Sequence, residues 1–151
     1  MTKIFQLIRS IHLGGAEAIA FNLAEYCQRK YPGKFEFVIM ELHQTQDAYS
    51  TELKKELKTK NIRIISLGTR NKIFSLLLSP IMLGYHLLKE NPDIIHSHTD
   101  LPDFTLSETK RFFSIFHIKF PKIVRTIHNT VLWPTHDIFG RFVEIDRKSV
   151  V

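Results

Sequence analysis

Cysteine occurs once, at Cys27. No disulfide framework is available within the chain, and this usage points to a reducing, cytoplasmic setting. Long apolar runs are also missing. The longest, residues 73–88, is broken by Ser75, Ser79, Pro80, Gly84 and His86, and it falls short of the ~20 residues that span a bilayer. Residues 3–8 are too short for the apolar region of a secretion signal. The third glycine of GxGxxG is absent, as are the Gly-Lys-Ser/Thr of a P-loop and a nucleophile elbow. Without zinc-finger spacing or an aromatic-interleaved RNA-binding strand, nucleic acid is not an expected partner.

What is present is ample material for one folded domain. The 151 residues are 44% hydrophobic and 11% aromatic, which argues against disorder and suffices for a core without metal or disulfides. Net charge is +6, and its placement is uneven. Residues 54–72 hold Lys54, Lys55, Lys58, Lys60, Arg63, Arg70 and Lys72 against Glu56 alone, a surplus equal to that of the whole chain. Such a run is either a solvated helix face or, beside the apolar helix that follows, a patch for an anionic membrane surface or phosphorylated ligands.

Apolar runs of strand length alternate with helical patterns. Strands are expected at 4–8, 35–40, 62–67, 93–97 and 122–128, and helices at 16–29, 50–58, 72–89, 101–116 and 135–147. In the first helix Ile19, Leu23, Tyr26 and Cys27 share one face, so Cys27 reads as core. Ser50 is the expected N-cap of the second, and Pro80 is expected to kink or interrupt the third. The alternation predicts a Rossmann-like α/β fold, a parallel sheet with helices on both faces. Ligands of such sheets bind outside the carboxyl ends of the strands. The loops at 9–15, 98–102 and 129–134 are therefore the ones to inspect.

Each of these loops carries chemistry. Gly14-Gly15 opens directly onto the first helix, where free amides and the helix dipole favour a phosphate, although a plain turn uses glycine equally well. His96 and His98, at i and i+2 of a strand, lie on one face and with Asp100 have spacing suited to a metal. His-x-His-x-Asp is similar to the metallo-β-lactamase class of hydrolases. It departs from that class at Leu101, where those proteins place another histidine, and only His128 and His136 remain to complete a ligand set. His128 and Asn129 end the fifth strand, where a histidine can donate hydrogen bonds to a hydroxyl-rich ligand.

In order, His12-Leu-Gly-Gly-Ala-Glu17 with Asn22-Leu-Ala24, Pro92-Asp-Ile-Ile-His-Ser-His98 and Thr126-Ile-His-Asn129 resemble the N-terminal domain of family 4 glycosyltransferases. These have the two-domain GT-B fold. The resemblance runs over nearly the whole chain, 1–151. It implies transfer of a sugar, with retention, from a nucleotide diphosphate sugar to a glycan or lipid-linked hydroxyl acceptor, without a metal or other cofactor. It further implies Gly14 and Gly15 at the donor diphosphate, His128 as the catalytic residue near the reacting sugar, and His12, His98 and Asn129 on the acceptor side. The context implied is surface-polysaccharide or glycolipid assembly, in the cytoplasm or at the inner face of the membrane. The C-terminal nucleotide-sugar domain with its paired glutamates is not in this sequence, so the expectation is a truncated, acceptor-side domain inactive alone. The alternatives are a non-catalytic phosphate- or nucleotide-binding module and a metal-dependent hydrolase built on His96, His98 and Asp100.

Overall fold

The computed structural model describes residues 1–12 and 14–126. Five strands alternate with four helices among them: β1 (Thr2–Ile8), α1 (Gly15–Lys30), β2 (Phe35–Glu41), α2 (Ala48–Thr59), β3 (Arg63–Ser66), α3 (Lys72–Glu90), β4 (Ile94–Ser97), α4 (Asp100–Ile115) and β5 (Lys122–Arg125). Every strand pair is parallel, in the order β3-β2-β1-β4-β5. The expected Rossmann-like α/β architecture is present. The chain builds outward from β1 to β3, then crosses to pair β4 with the other side of β1. That reversal makes the carboxyl ends of β1 and β4 the topological switch point, the place where ligands of such sheets bind.

Side-chain alternation along the strands feeds two cores. Phe5, Leu7, Val38, Met40 and Ile95 face α3 and α4, where they meet Leu83, Leu87, Leu106 and Phe113. Ile8, Phe37 and Ile39 face α1 and α2, against Ala20, Phe21, Ala24 and Leu57. The buried face of α1 is turned from the expected one. Ile19 and Tyr26 are each 45% exposed, while Ala20, Phe21 and Ala24 pack on the sheet. Small alanines let the helix axis approach the strands, which periodicity of bulky residues alone does not register. Leu23 and Cys27 pack against the same core while partly buried.

Local signals also redistribute. Asp47, not Ser50, caps α2, its Oδ1 accepting the Ser50 amide at 2.8 Å. Ser50 is instead buried in the first turn, its hydroxyl donating to the Asp47 carbonyl at 3.0 Å. Helix α3 runs unbroken through Pro80. At that point α4 reaches across, Thr109 Oγ1 donating to the Pro80 carbonyl at 3.2 Å. The expected helix at 135–147 and the end of the expected strand at 122–128 lie outside the described residues.

At the amino edge of the sheet one carboxylate ties three elements. Glu90 at the end of α3 bonds Arg63 of β3, sits 3.4 Å from Lys3 of β1, and lies 3.4 Å from His86 one turn back. Burial pushes its carboxyl up, but the hydrogen-bonded Arg63 guanidinium, with His86 and Lys3, outweighs this and holds it below the ordinary value. At the opposite edge, after β3, a Cβ on Gly68 would overlap the Leu42 carbonyl oxygen. Two outcomes follow from these contacts. Gly68→Ala should destabilise the fold by about 1–3 kcal/mol, read from the urea midpoint. A carboxyl held down in the folded state stabilises above its unfolded-state pKa, and that contribution is lost as pH falls through the folded one. The urea midpoint should therefore drop with acidification through the carboxylate range, and Glu90→Gln should flatten part of that slope.

Candidate functional site

The first loop delivers the glycine pair to the carboxyl edge. After β1 the chain is pinned by Ile11, fully buried, whose carbonyl accepts from Thr45 Oγ1 at 2.8 Å. Gly14 is the extended N-cap of α1 (φ −142°, ψ 155°), with no side-chain cap, and its carbonyl takes the first helical bond from Ala18. The two glycines do different things. A Cβ on Gly14 would strike the Glu17 carboxylate, whereas one on Gly15 would meet nothing within 4 Å. Glu17 is buried in the first turn and complements the positive end of the helix dipole. His12 stands beside it, Nδ1 3.8 Å from Glu17 Oε1 and 3.0 Å from Ser10 Oγ. The α1 N-terminus has no side-chain cap on its first amides, and a helix N-terminus favours an anion.

His12 and Gly14 share a cavity of about 200 Å³ between α1 and α2, with Asn22 and Tyr49 on its wall. A second cavity, of about 220 Å³, lies at the carboxyl edge toward α3. Arg9, His43 and Lys72 bring three basic groups to it from the ends of β1 and β2 and the start of α3, over a wall that includes Ile73, Leu76 and Leu101. His43 Nδ1 is 3.0 Å from the Thr69 carbonyl, which fixes its ring. Arg9 lay in a loop singled out by sequence, but its convergence with His43 and Lys72 was not. The signal was available: Arg9 directly follows β1, and His43 lies two residues past the end of β2.

Beneath the switch point the polar residues are buried. His96 and His98 face each other, ring centroids 4.0 Å apart. His98 is fully buried, with Nε2 2.8 Å from Gln6 Oε1, and His96 Nε2 is 2.6 Å from Thr126 Oγ1. On the other face of the sheet Ser97 bonds Asp103 in the first turn of α4, and Arg125 Nε lies 3.4 Å from that carboxylate. Asp100 is exposed at the start of α4. No three His, Cys, Asp or Glu side chains come together as metal ligands among the described residues. Gln6 on β1 was not anticipated: a glutamine inside an apolar strand was the available signal. His128 and Asn129 lie outside the described residues.

The basic segment is divided by the fold. Lys54 bonds Glu41, fully buried at the end of β2, at 2.6 Å. Lys60 bonds Glu25 and Glu56, Arg63 bonds Glu90, and Lys55 pairs with Glu52. Lys54, Lys55, Lys58 and Lys60 belong to α2 and its cap, on the face opposite α3. Arg70 and Lys72 lie at the start of α3 and Arg63 meets Glu90 at its end, so the run is divided between opposite faces of the sheet.

Neither a protein-family model nor a curated protein matches this sequence. Solved structures do match its fold. HepE (Alr3699) of Anabaena in complex with UDP-glucose aligns with a TM-score of 0.57 at 17% identity, over 91% of this chain and 32% of that one. The same protein with UDP and glucose aligns with a TM-score of 0.57 at 19% identity, over 97% and 35%. A Listeria monocytogenes protein assigned as a UDP-N-acetylglucosamine 2-epimerase aligns with a TM-score of 0.58 at 14% identity, over 95% and 37%. The chain thus spans about a third of the length of these structures, and what it shares with them is the Rossmann-like half of a GT-B fold.

Proposed function

We propose that this chain is the acceptor-side wall of a glycosyltransferase that moves a sugar from a nucleotide diphosphate sugar to a hydroxyl acceptor with retention. The observation that carries this reading is the glycine pair at the N-terminus of α1, Gly14 being an extended N-cap without a side-chain cap, at the carboxyl edge beside the β1/β4 switch point. Support comes from the fold likeness to a protein solved with UDP-glucose. In this reading the amides of Gly14 and Gly15 face the leaving diphosphate, where fixed donors stabilise charge as it develops without reorganising. His12, about half exposed beside them, meets the acceptor with Asn129, and His128 acts at the reacting sugar. His98, buried against Gln6, serves as a positioning residue. Arg9 and Lys72 add positive charge at the same edge. The remainder of the nucleotide-sugar site comes from a second domain, and the acceptor belongs to surface polysaccharide or glycolipid assembly.

Gly15→Ala separates catalysis from folding, because its methyl meets no atom of the chain. The full-length protein with this change should keep its melting temperature and lose about tenfold or more of UDP release from UDP-glucose, used as the probe. Wild-type turnover in Gly15→Ala would remove the glycine loop from the donor site. A phosphate-binding module without catalysis would instead bind the probe and release no UDP.

A further inference from the structure

The cavity of about 220 Å³ at the carboxyl edge has a wall and a rim of opposite character. Leu42, Leu76 and Leu101 line it, and both hydroxyls on its wall are engaged elsewhere. Ser75 Oγ donates to the Thr69 carbonyl at 2.7 Å and accepts the Thr69 amide at 2.9 Å, while Ser79 Oγ lies 3.3 Å from Thr105 Oγ1. A ligand body resting on this wall is therefore apolar, since a polar one would lose its hydration without gaining partners. An apolar cavity of roughly 150 Å³ takes benzene, so this one seats about one ring with a substituent.

The rim supplies charge. Arg9 and Lys72 are exposed there and form no ion pair or side-chain hydrogen bond among the described residues. Lys54, Lys60 and Arg63, by contrast, all have carboxylate partners. The Thr69 carbonyl can only accept, so His43 Nδ1 carries the hydrogen, and in the neutral ring Nε2 is an acceptor. An anion is thus held by Arg9 and Lys72.

The kind of anion follows from the backbone. Free amides are the usual cradle of a phosphate, and here they are taken. Those of Leu42 and His43 donate to the Ile8 and Arg9 carbonyls at 3.1 and 2.9 Å. The Ile73 amide donates to Asn71 Oδ1 at 3.0 Å, and that of Ser75 to the Asn71 carbonyl at 2.9 Å. What remains is a guanidinium and an ammonium above an apolar wall. A planar guanidinium fork matches the two oxygens of a carboxylate.

We propose that this cavity is a binding site for a small carboxylic acid with an apolar, ring-sized body. Its carboxylate meets Arg9 and Lys72, and its body lies against Leu42, Leu76 and Leu101. A few placed polar groups over an apolar lining are the usual make-up of a small-molecule site. The inference goes beyond the transferase reading, in which Arg9 and Lys72 contribute only charge, and it stands without the glycine loop.

The test is isothermal titration of the full-length protein with benzoate. Three comparison ligands accompany it: acetate keeps the anion, benzyl alcohol keeps the ring, and phenyl phosphate exchanges the head group. Benzoate should bind at a single site, and each comparison ligand about tenfold or more weaker. Arg9→Lys keeps the charge but loses the fork, and should weaken benzoate about tenfold. Leu76→Trp crowds the cavity and should weaken it by about as much. Circular dichroism confirms folding, and because Arg9 is exposed its variant decides if Leu76→Trp does not fold. Three results would overturn the proposal: no saturable binding of benzoate by wild type, unchanged affinity in a folded variant, or any comparison ligand binding as tightly as benzoate.

Discussion

Parallel pairing on both sides of β1 is the constraint from which the rest follows. A parallel strand needs a crossover before its neighbour can form, so each connection must carry a helix, and each helix must bury one side on the sheet. With β1 in the centre, its odd and even residues are committed to different cores, Phe5 and Leu7 to one and Ile8 to the other. All carboxyl ends then emerge along one edge. The glycine loop, the Arg9–His43–Lys72 cavity and the His96–His98 pair are gathered there because they follow strands that run the same way.

Much of this was legible in the sequence. Strands rich in Ile, Val and Phe between turn residues gave the element order, and alternation gave the parallel class. The buried side of α1 was not legible, because Ala20 and Ala24 face the sheet for their smallness while Ile19 and Tyr26 are exposed. The α2 cap was missed because Asp47 and Ser50 are both good caps and only backbone geometry separates them. For the candidate site, the placement of Gly14, Gly15, His96 and His98 at strand ends was legible. The partners were not: Gln6 meets His98 from 92 residues away, and Lys54 meets a buried Glu41 across the sheet's edge. Contacts of that range depend on topology, which local patterns do not encode. The basic run is divided for the same reason, since residues near one another in the chain emerge on opposite faces.

Buried polarity divides the carboxyl edge into two layers. The upper layer, at Gly15, His12 and Lys72, is exposed to solvent. Below it Gln6, His96, His98, Ser97 and Asp103 are buried and engaged with one another or with Thr126 and Arg125. A hydrogen-bonded layer costs more to rearrange than an apolar one, because each broken bond strands a desolvated group. Its effect is to hold the strand ends in fixed relation under the loops.

The Glu90 cluster carries a different implication. It joins β1, β3 and α3 at the amino edge, where the chain also turns through Asn91 in a left-handed conformation and Asp93 accepts the Lys3 amide at 2.8 Å. The sheet is thus fastened at both ends, by ion pairs at the amino edge and by buried hydrogen bonds at the carboxyl edge. The loops that stand above these ties carry exposed residues, among them His12, Gly15 and Lys72, where substitutions away from buried contacts cost little stability. Such a division of labour lets an architecture persist while the sequence drifts, as between this chain and structures that share its fold at 14% to 19% identity.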